Sequence, residues 1–92
     1  MTISGVKKRD GNVVAFEETK IASAIFKAAR SVGGKDIDEA RKLAMKVAGG
    51  LGKVEGIPTV ENVQDMVEKV LIEAGHAKTA KAYIVYRQKR AE

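Results

Sequence analysis

Cysteine is absent from the chain. That excludes disulfides, thiolate metal sites and thiol nucleophiles, and it fits a reducing compartment. Long apolar runs are absent too: no stretch approaches the roughly 20 residues needed to cross a bilayer, and the N-terminus lacks a signal-peptide core. The expected location is the cytoplasm, with no membrane involvement. Catalytic signatures are missing as well. There is no GxxxxGK(S/T) phosphate loop, no GxGxxG after a strand, no nucleophile elbow and no dense carboxylate cluster for a catalytic magnesium. The lone His76 has no companion ligands and is expected to be a cap or surface residue. Nothing supplies a nucleophile with a base, so the reading is binding without turnover: no catalytic residues and no metal ligands.

What remains is small, basic and patterned. Ninety-two residues make one domain with one core, which must spend nearly every apolar residue on packing. Seventeen Lys and Arg against twelve Asp and Glu leave a formal charge of +5, a balance that favours anionic partners. Residues 3–16 read as a hairpin: Val6 to Arg9 and Val13 to Phe16 flank the turn Asp10-Gly11-Asn12. From Ile21 the period becomes helical, with Ile21, Ala24, Ile25, Ala28, Ala29 and Val32 on one stripe before the stop at Gly33-Gly34. A second helix is expected from Asp36, capped by its carboxylate with Glu39 completing a capping box. Its buried stripe runs Ile37, Ala40, Leu43, Ala44, Val47, Ala48 and Leu51, and Gly49, Gly50 and Gly52 should fray it into a loop through Glu55-Gly56.

Ile57 is positioned for a short extra strand before Pro58 and Thr59 open a third helix, since proline beside a helix start loses no intrahelical bond. Val60, Val63, Met66, Val67, Val70, Leu71 and Ala74 carry that helix to Gly75. A fourth begins near Ala77 and ends in Arg87-Gln88-Lys89-Arg90, cations well placed at a helix C-terminus. The expected class is α+β but mainly α: a four-helix bundle capped by a small two- or three-stranded sheet containing the N-terminal hairpin, one domain over residues 3–90.

The basic residues admit two readings. Lys8 and Arg9, on alternate faces of a strand, and Lys20, in the first turn of the first helix, can grip an anion; Arg does so through paired hydrogen bonds and Lys as a flexible point charge. Each can equally be a solvated surface cation. Thr59 is first an N-cap for Asn62 or Glu61, yet free N–H groups at a helix start also suit phosphate; Glu61 opposes that by adding negative charge. Asp10 is first a turn residue, and second a contact to ribose or to a magnesium shell. Tyr83 and Tyr86, a turn apart, offer a stacking face but more simply pack against the bundle.

The motifs Val6-Lys7-Lys8-Arg9-Asp10-Gly11, Phe16, Lys20-Ile21 with Ala24-Ile25, Ile57-Pro58-Thr59-Val60-Glu61-Asn62-Val63-Gln64-Asp65, Val67-Glu68 and Ala82-Tyr83-Ile84-Val85-Tyr86-Arg87, in that order, resemble the ATP-cone domain. The resemblance runs from about Val6 to Arg90. It implies a regulatory module resembling the activity-control domain of ribonucleotide reductase, either cut from a longer enzyme or free-standing. Such a module binds ATP or dATP, with Mg2+ on the phosphates, and in the family often acts through a change in oligomeric assembly, here a nucleotide-dependent homo-oligomer. The implied partner is a reductase catalytic subunit. Lys8, Arg9 and Lys20 would hold phosphates. Val6 and the adjoining hairpin, Lys7, Asp10 and Gly11 included, would line the base or sugar; Thr59 and Gln64 would lie near the nucleotide, with Arg87 and Lys89 as further candidates. The repressor branch of the family carries cysteines ahead of the cone, which this chain lacks.

Two other classes make different demands. A nucleic-acid-binding module would use the basic hairpin and the Arg87–Arg90 tail, but four aromatics and no reading helix speak against it. A degenerate cone acting only as an oligomerisation domain would associate without any nucleotide dependence.

Overall fold

A computed structural model describes residues 5–53 and 56–90, with the side chains of residues 89 and 90 excluded. The element order is β1 Gly5–Lys7, β2 Val13–Ala15, α1 Glu18–Ser31, α2 Ile37–Leu51, α3 Val60–Glu73 and α4 Ala77–Arg90. Each helix packs against its neighbours in sequence and α4 closes against α1, making a ring of four. The hydrophobic interior is drawn from all four helices. Ile25, Ala44, Val47, Leu51, Val67 and Leu71 are almost wholly enclosed, and Ala80 and Tyr83 complete the core from α4. The radius of gyration, 12.5 Å, is close to the roughly 12 Å of one domain of this length. The four-helix bundle with its small sheet is as expected from periodicity. Residues 3 and 55 lie outside the described residues, so neither the first hairpin residues nor the centre of the second loop is part of this description.

The hairpin is shorter than the sequence suggests. Its ladder pairs Gly5 with Ala15, Val6 with Val14 and Lys7 with Val13, so Lys8 and Arg9 belong to the turn and not to a strand. The Lys8 N–H donates to the Asn12 carbonyl at 2.7 Å and the Gly11 N–H returns to the Lys8 carbonyl at 3.0 Å. Gly11 has φ 91°, a conformation that a β-carbon disfavours. Asp10 accepts from the Asn12 backbone at 3.0 Å and from its side-chain amide at 3.1 Å. The loop closes through these side-chain and backbone bonds, which end the ladder two residues early.

A third strand-like segment completes the cap. The Lys7 N–H donates to the Pro58 carbonyl at 2.9 Å, and Lys7 forms a parallel bridge with Thr59. Proline suits that place because it accepts without donating. The sheet is thereby attached directly to the start of α3. There Thr59 accepts from the Asn62 N–H at 3.0 Å, and Asn62 Oδ1 accepts in return from the Thr59 N–H at 3.0 Å, a reciprocal capping box.

Three local expectations need correction. Gly49 and Gly50 do not fray α2, which continues through both to Leu51; the buried Val47 and Leu51 on either side hold that turn by packing against intrinsic propensity. Asp36 caps α2 by accepting from the Glu39 N–H at 3.1 Å, but the Glu39 carboxylate does not close the box. It turns to His76 Nε2 at 3.2 Å, joining the start of α2 to the α3–α4 junction. Val32 and Ile37, placed at the ends of two buried stripes, are exposed because they flank the α1–α2 connection, where Gly33 at φ 93° turns the chain away from the core.

Candidate functional site

The sheet, the start of α3, and the paired helices α1 and α4 bring the expected binding residues into two adjoining groups. The first lies where the hairpin turn meets α3. Lys8, Arg9, Asp10 and Gly11 are all exposed there. Arg9 Nε lies 2.6 Å from Glu61 Oε2, so the turn is tied to the first turn of α3 beside the Thr59 cap. The Arg9 guanidinium holds the Glu61 carboxyl below its ordinary value, and the Asn12 backbone N–H does the same for Asp10. Val6 is buried on the inner side of the hairpin, and Lys7 is exposed at its end.

The second group lines a cavity of about 390 Å³ between α1 and α4, floored by α3. Lys20, Gln64 and Arg87 all contribute, joined by Ser23, Lys27, Tyr83 and Tyr86. Lys20 is highly exposed and its Nζ sits 2.8 Å from Glu17 Oε2, which offsets the cost of a cation at a helix N-terminus. Tyr83 and Tyr86 face each other at 6.2 Å with planes tilted by 34°. Tyr83 belongs to the core, and burial pushes its hydroxyl up to about 12. Gln64 Oε1 is buried in the cavity wall and accepts no hydrogen bond among the described residues, a costly condition for an amide oxygen.

Arg87 organises the α3–α4 side. Its Nη1 donates to Asp65 Oδ1 at 3.0 Å and to Glu68 Oε1. Burial works to lower the guanidinium, but the bonds to Glu68 and Asp65 outweigh it and hold Arg87 above its ordinary value. Glu61 also feels the field of Arg87 in addition to that of Arg9. Along α3, Glu61 pairs with the cation of the hairpin turn, and Asp65 and Glu68 pair with that of the last helix. In this arrangement, an incoming polyanion would meet cations already oriented by carboxylates and would compete with those carboxylates for them.

Of the residues singled out in the sequence, Lys20, Gln64 and Arg87 share the cavity, while Val6, Lys7, Lys8, Arg9, Asp10, Gly11 and Thr59 gather at the hairpin–α3 junction. Lys89 lies in α4 with its side chain outside the described residues. Sequence reasoning missed Asp65 and Glu68 as partners of Arg87, because nothing in the spacing shows which α3 face meets α4. It also missed Ser23 and Lys27, although with Lys20 they form a polar stripe at i, i+3 and i+7 that helical periodicity makes visible. Among the described residues no group of three His, Asp or Glu side chains is placed to hold a metal ion, and no helix is long and apolar enough to cross a membrane.

The ATP cone domain family model matches residues 4–92. The chain is 47% identical over 93 residues to the vitamin B12-dependent ribonucleoside-diphosphate reductase of Thermoplasma acidophilum, covering 96% of this chain and 12% of that protein. It is 46% identical over 87 residues to the enzyme of the same name from Mycobacterium tuberculosis, covering 95% of the chain and 12% of the protein. The anaerobic ribonucleoside-triphosphate reductase of Salmonella typhimurium is 33% identical over 85 residues, again with 92% and 12% covered. The chain thus spans about an eighth of the length of the reductases it matches. ATP cones are regulatory modules, not catalytic ones, and with its bundle, hairpin cap and basic turn in the matching order, this chain belongs to the ATP-cone domain family.

Proposed function

We propose that this chain is the activity-control module of a ribonucleotide reductase, binding ATP or dATP, with Mg2+ carried on the phosphates, between the hairpin and the helices α1, α3 and α4. The observation that carries the reading is the junction of three elements along the first turns of α3: the hairpin through the Arg9–Glu61 pair, the Thr59-capped helix start, and α4 through the bonds of Arg87 to Asp65 and Glu68. A polyphosphate entering there would exchange carboxylate partners for phosphate oxygens, with the free N–H groups of the α3 start beside it. Lys8, Arg9 and Lys20 supply the phosphate charge. Val6 and Lys7 of β1, with Asp10 and Gly11 of the turn, line the base or sugar, and Thr59 and Gln64 add polar contacts. Arg87 and Lys89 complete the basic rim from α4.

Control then follows from differential affinity. A nucleotide that binds two conformations or two assemblies equally shifts neither. The partner implied by the reductase relatives is the catalytic subunit, and the expected response is a nucleotide-dependent change in oligomeric state.

Calorimetric titration of the chain with ATP and with dATP in magnesium, run beside light scattering, tests this. Saturable binding with a nucleotide-dependent change in mass is expected. Replacing Lys8 and Arg9 together by Ala should weaken binding at least tenfold with the helical circular dichroism unchanged. Equal affinity in the double variant would sink the assignment.

A further inference from the structure

The ring order of the helices leaves a second groove opposite the α1–α4 side, between α2 and α3. It encloses about 650 Å³ and its floor is apolar and small: Gly49 and Gly50 from α2, Met66 and Val70 from α3. Among the described residues, Lys46, Lys53 and Lys69 stand around it against one carboxylate, Glu73. The cations of the hairpin side are partly neutralised. Arg9, Lys20 and Arg87 each have a carboxylate partner. None of the three groove lysines has one among the described residues.

The two glycines of the floor have different explanations. A β-carbon on Gly50 would stand 2.7 Å from Met66 Sδ, so the close approach of α3 accounts for it. A β-carbon on Gly49 would meet nothing within 4 Å. Glycine inside a helix is destabilising relative to alanine, and among the described residues no contact requires it at this position. A glycine with no internal reason, exposed on the floor of a groove, suits the close approach of another backbone. The groove runs along two turns of each helix, a shape that accepts a helix laid between the ridges of α2 and α3.

We infer that the α2–α3 groove is a docking surface for an acidic amphipathic helix of a partner protein. Small apolar residues of that helix would lie over Gly49 and Met66 while its carboxylates reach Lys46, Lys53 and Lys69. A second copy of this chain is a poor occupant: it is itself basic, and the acidic stripe of α3, Glu61, Asp65 and Glu68, is already engaged by Arg9 and Arg87. The inference does not depend on nucleotide binding.

The test uses the isotopically labelled chain and a synthetic peptide of about 16 residues, some 24 Å as a helix, with Ala and Leu at helical spacing and Glu elsewhere. At physiological ionic strength, amide shift changes should centre on Lys46, Gly49, Gly50, Lys53 and Lys69. The same peptide with Lys in place of Glu should bind at least tenfold more weakly. Gly49→Leu, which fills the floor without removing a charge or a helix former, should weaken binding by a similar factor while thermal stability holds or rises. The combined Lys46→Glu, Lys53→Glu and Lys69→Glu variant should abolish it, with folding checked by an unchanged spectrum elsewhere. Shift changes at the hairpin, indifference to Gly49→Leu, or stronger competition by a short DNA duplex than by the acidic peptide would each overturn the proposal.

Discussion

Glu61 is the residue on which opposing demands meet. Its carboxylate pairs with Arg9 at 2.6 Å, fixing the hairpin turn against α3, and sits in the first turn of a helix, where negative charge is favoured. The same charge repels a phosphate arriving at that helix start. Glu61→Gln should therefore raise the affinity for ATP, by about threefold to tenfold for one like charge removed near the surface, as read by calorimetry. The substitution should also change the acid limb of stability. The folded Glu61 carboxyl titrates below its ordinary value of 4.5. Its contribution is therefore present above that value and lost as pH falls through the folded one. Urea midpoints measured between pH 6 and pH 3 should fall less steeply in Glu61→Gln than in the parent. A steeper or unchanged fall would show that Glu61 contributes nothing to the acid limb, and a loss of ATP affinity would show that Glu61 supports the ligand and does not compete with it.

At the scale of elements, α2 and the hairpin show where pattern suffices and where it stops. The helical stripes around Ile25, Val47 and Leu71 were legible because a residue every third or fourth position has no other economical explanation. Hairpin length was not: Val6-Lys7-Lys8-Arg9 carries no alternation that marks where pairing ends, and the Asp10–Asn12 bonds that close the turn are tertiary detail at short range. Gly49-Gly50 misled in the other direction, since composition announces a break that Val47 and Leu51 overrule by burial. The pairings of Arg87 with Glu68 and of His76 with Glu39 lie 19 and 37 residues apart in sequence, and only the ring order of helices brings them together. The glycines give a direct check on that packing argument. Gly49→Ala should stabilise the chain by about 0.5–1 kcal/mol, because it lowers the entropy cost of helix and meets no neighbour. Gly50→Ala should gain clearly less, because the Met66 thioether at 2.7 Å must turn away. Chemical denaturation of the two single variants separates them, and equal gains would mean that the Met66 side chain turns away from position 50 without cost.

Across the whole molecule, one small core supports two faces that share α3. Glu61, Gln64, Asp65 and Glu68 point toward the hairpin and α4, while Met66, Lys69 and Val70 border the opposite groove. A shift of α3 as a body would therefore be felt on both sides. The core that holds it is small, and domains of this size have only a few kcal/mol of net stability, so ligand binding is a large addition. For a ligand that binds only the folded chain, a concentration 100 times Kd adds about 2.7 kcal/mol. For 60–100 residues each kcal/mol moves Tm by roughly 4–8 °C. ATP at 100 times its measured Kd should then raise Tm by roughly 10–20 °C, and the Lys8 and Arg9 double alanine variant at the same ATP concentration should show only a small part of that rise. Tripolyphosphate alone should give an intermediate shift, because in the proposed binding mode it would engage the cations but leave the place of base and sugar beside Val6 unfilled. A parent Tm that moves by less than about 3 °C under measured saturation would mean that the nucleotide is held by segments that do not need the folded bundle, such as the exposed turn by itself.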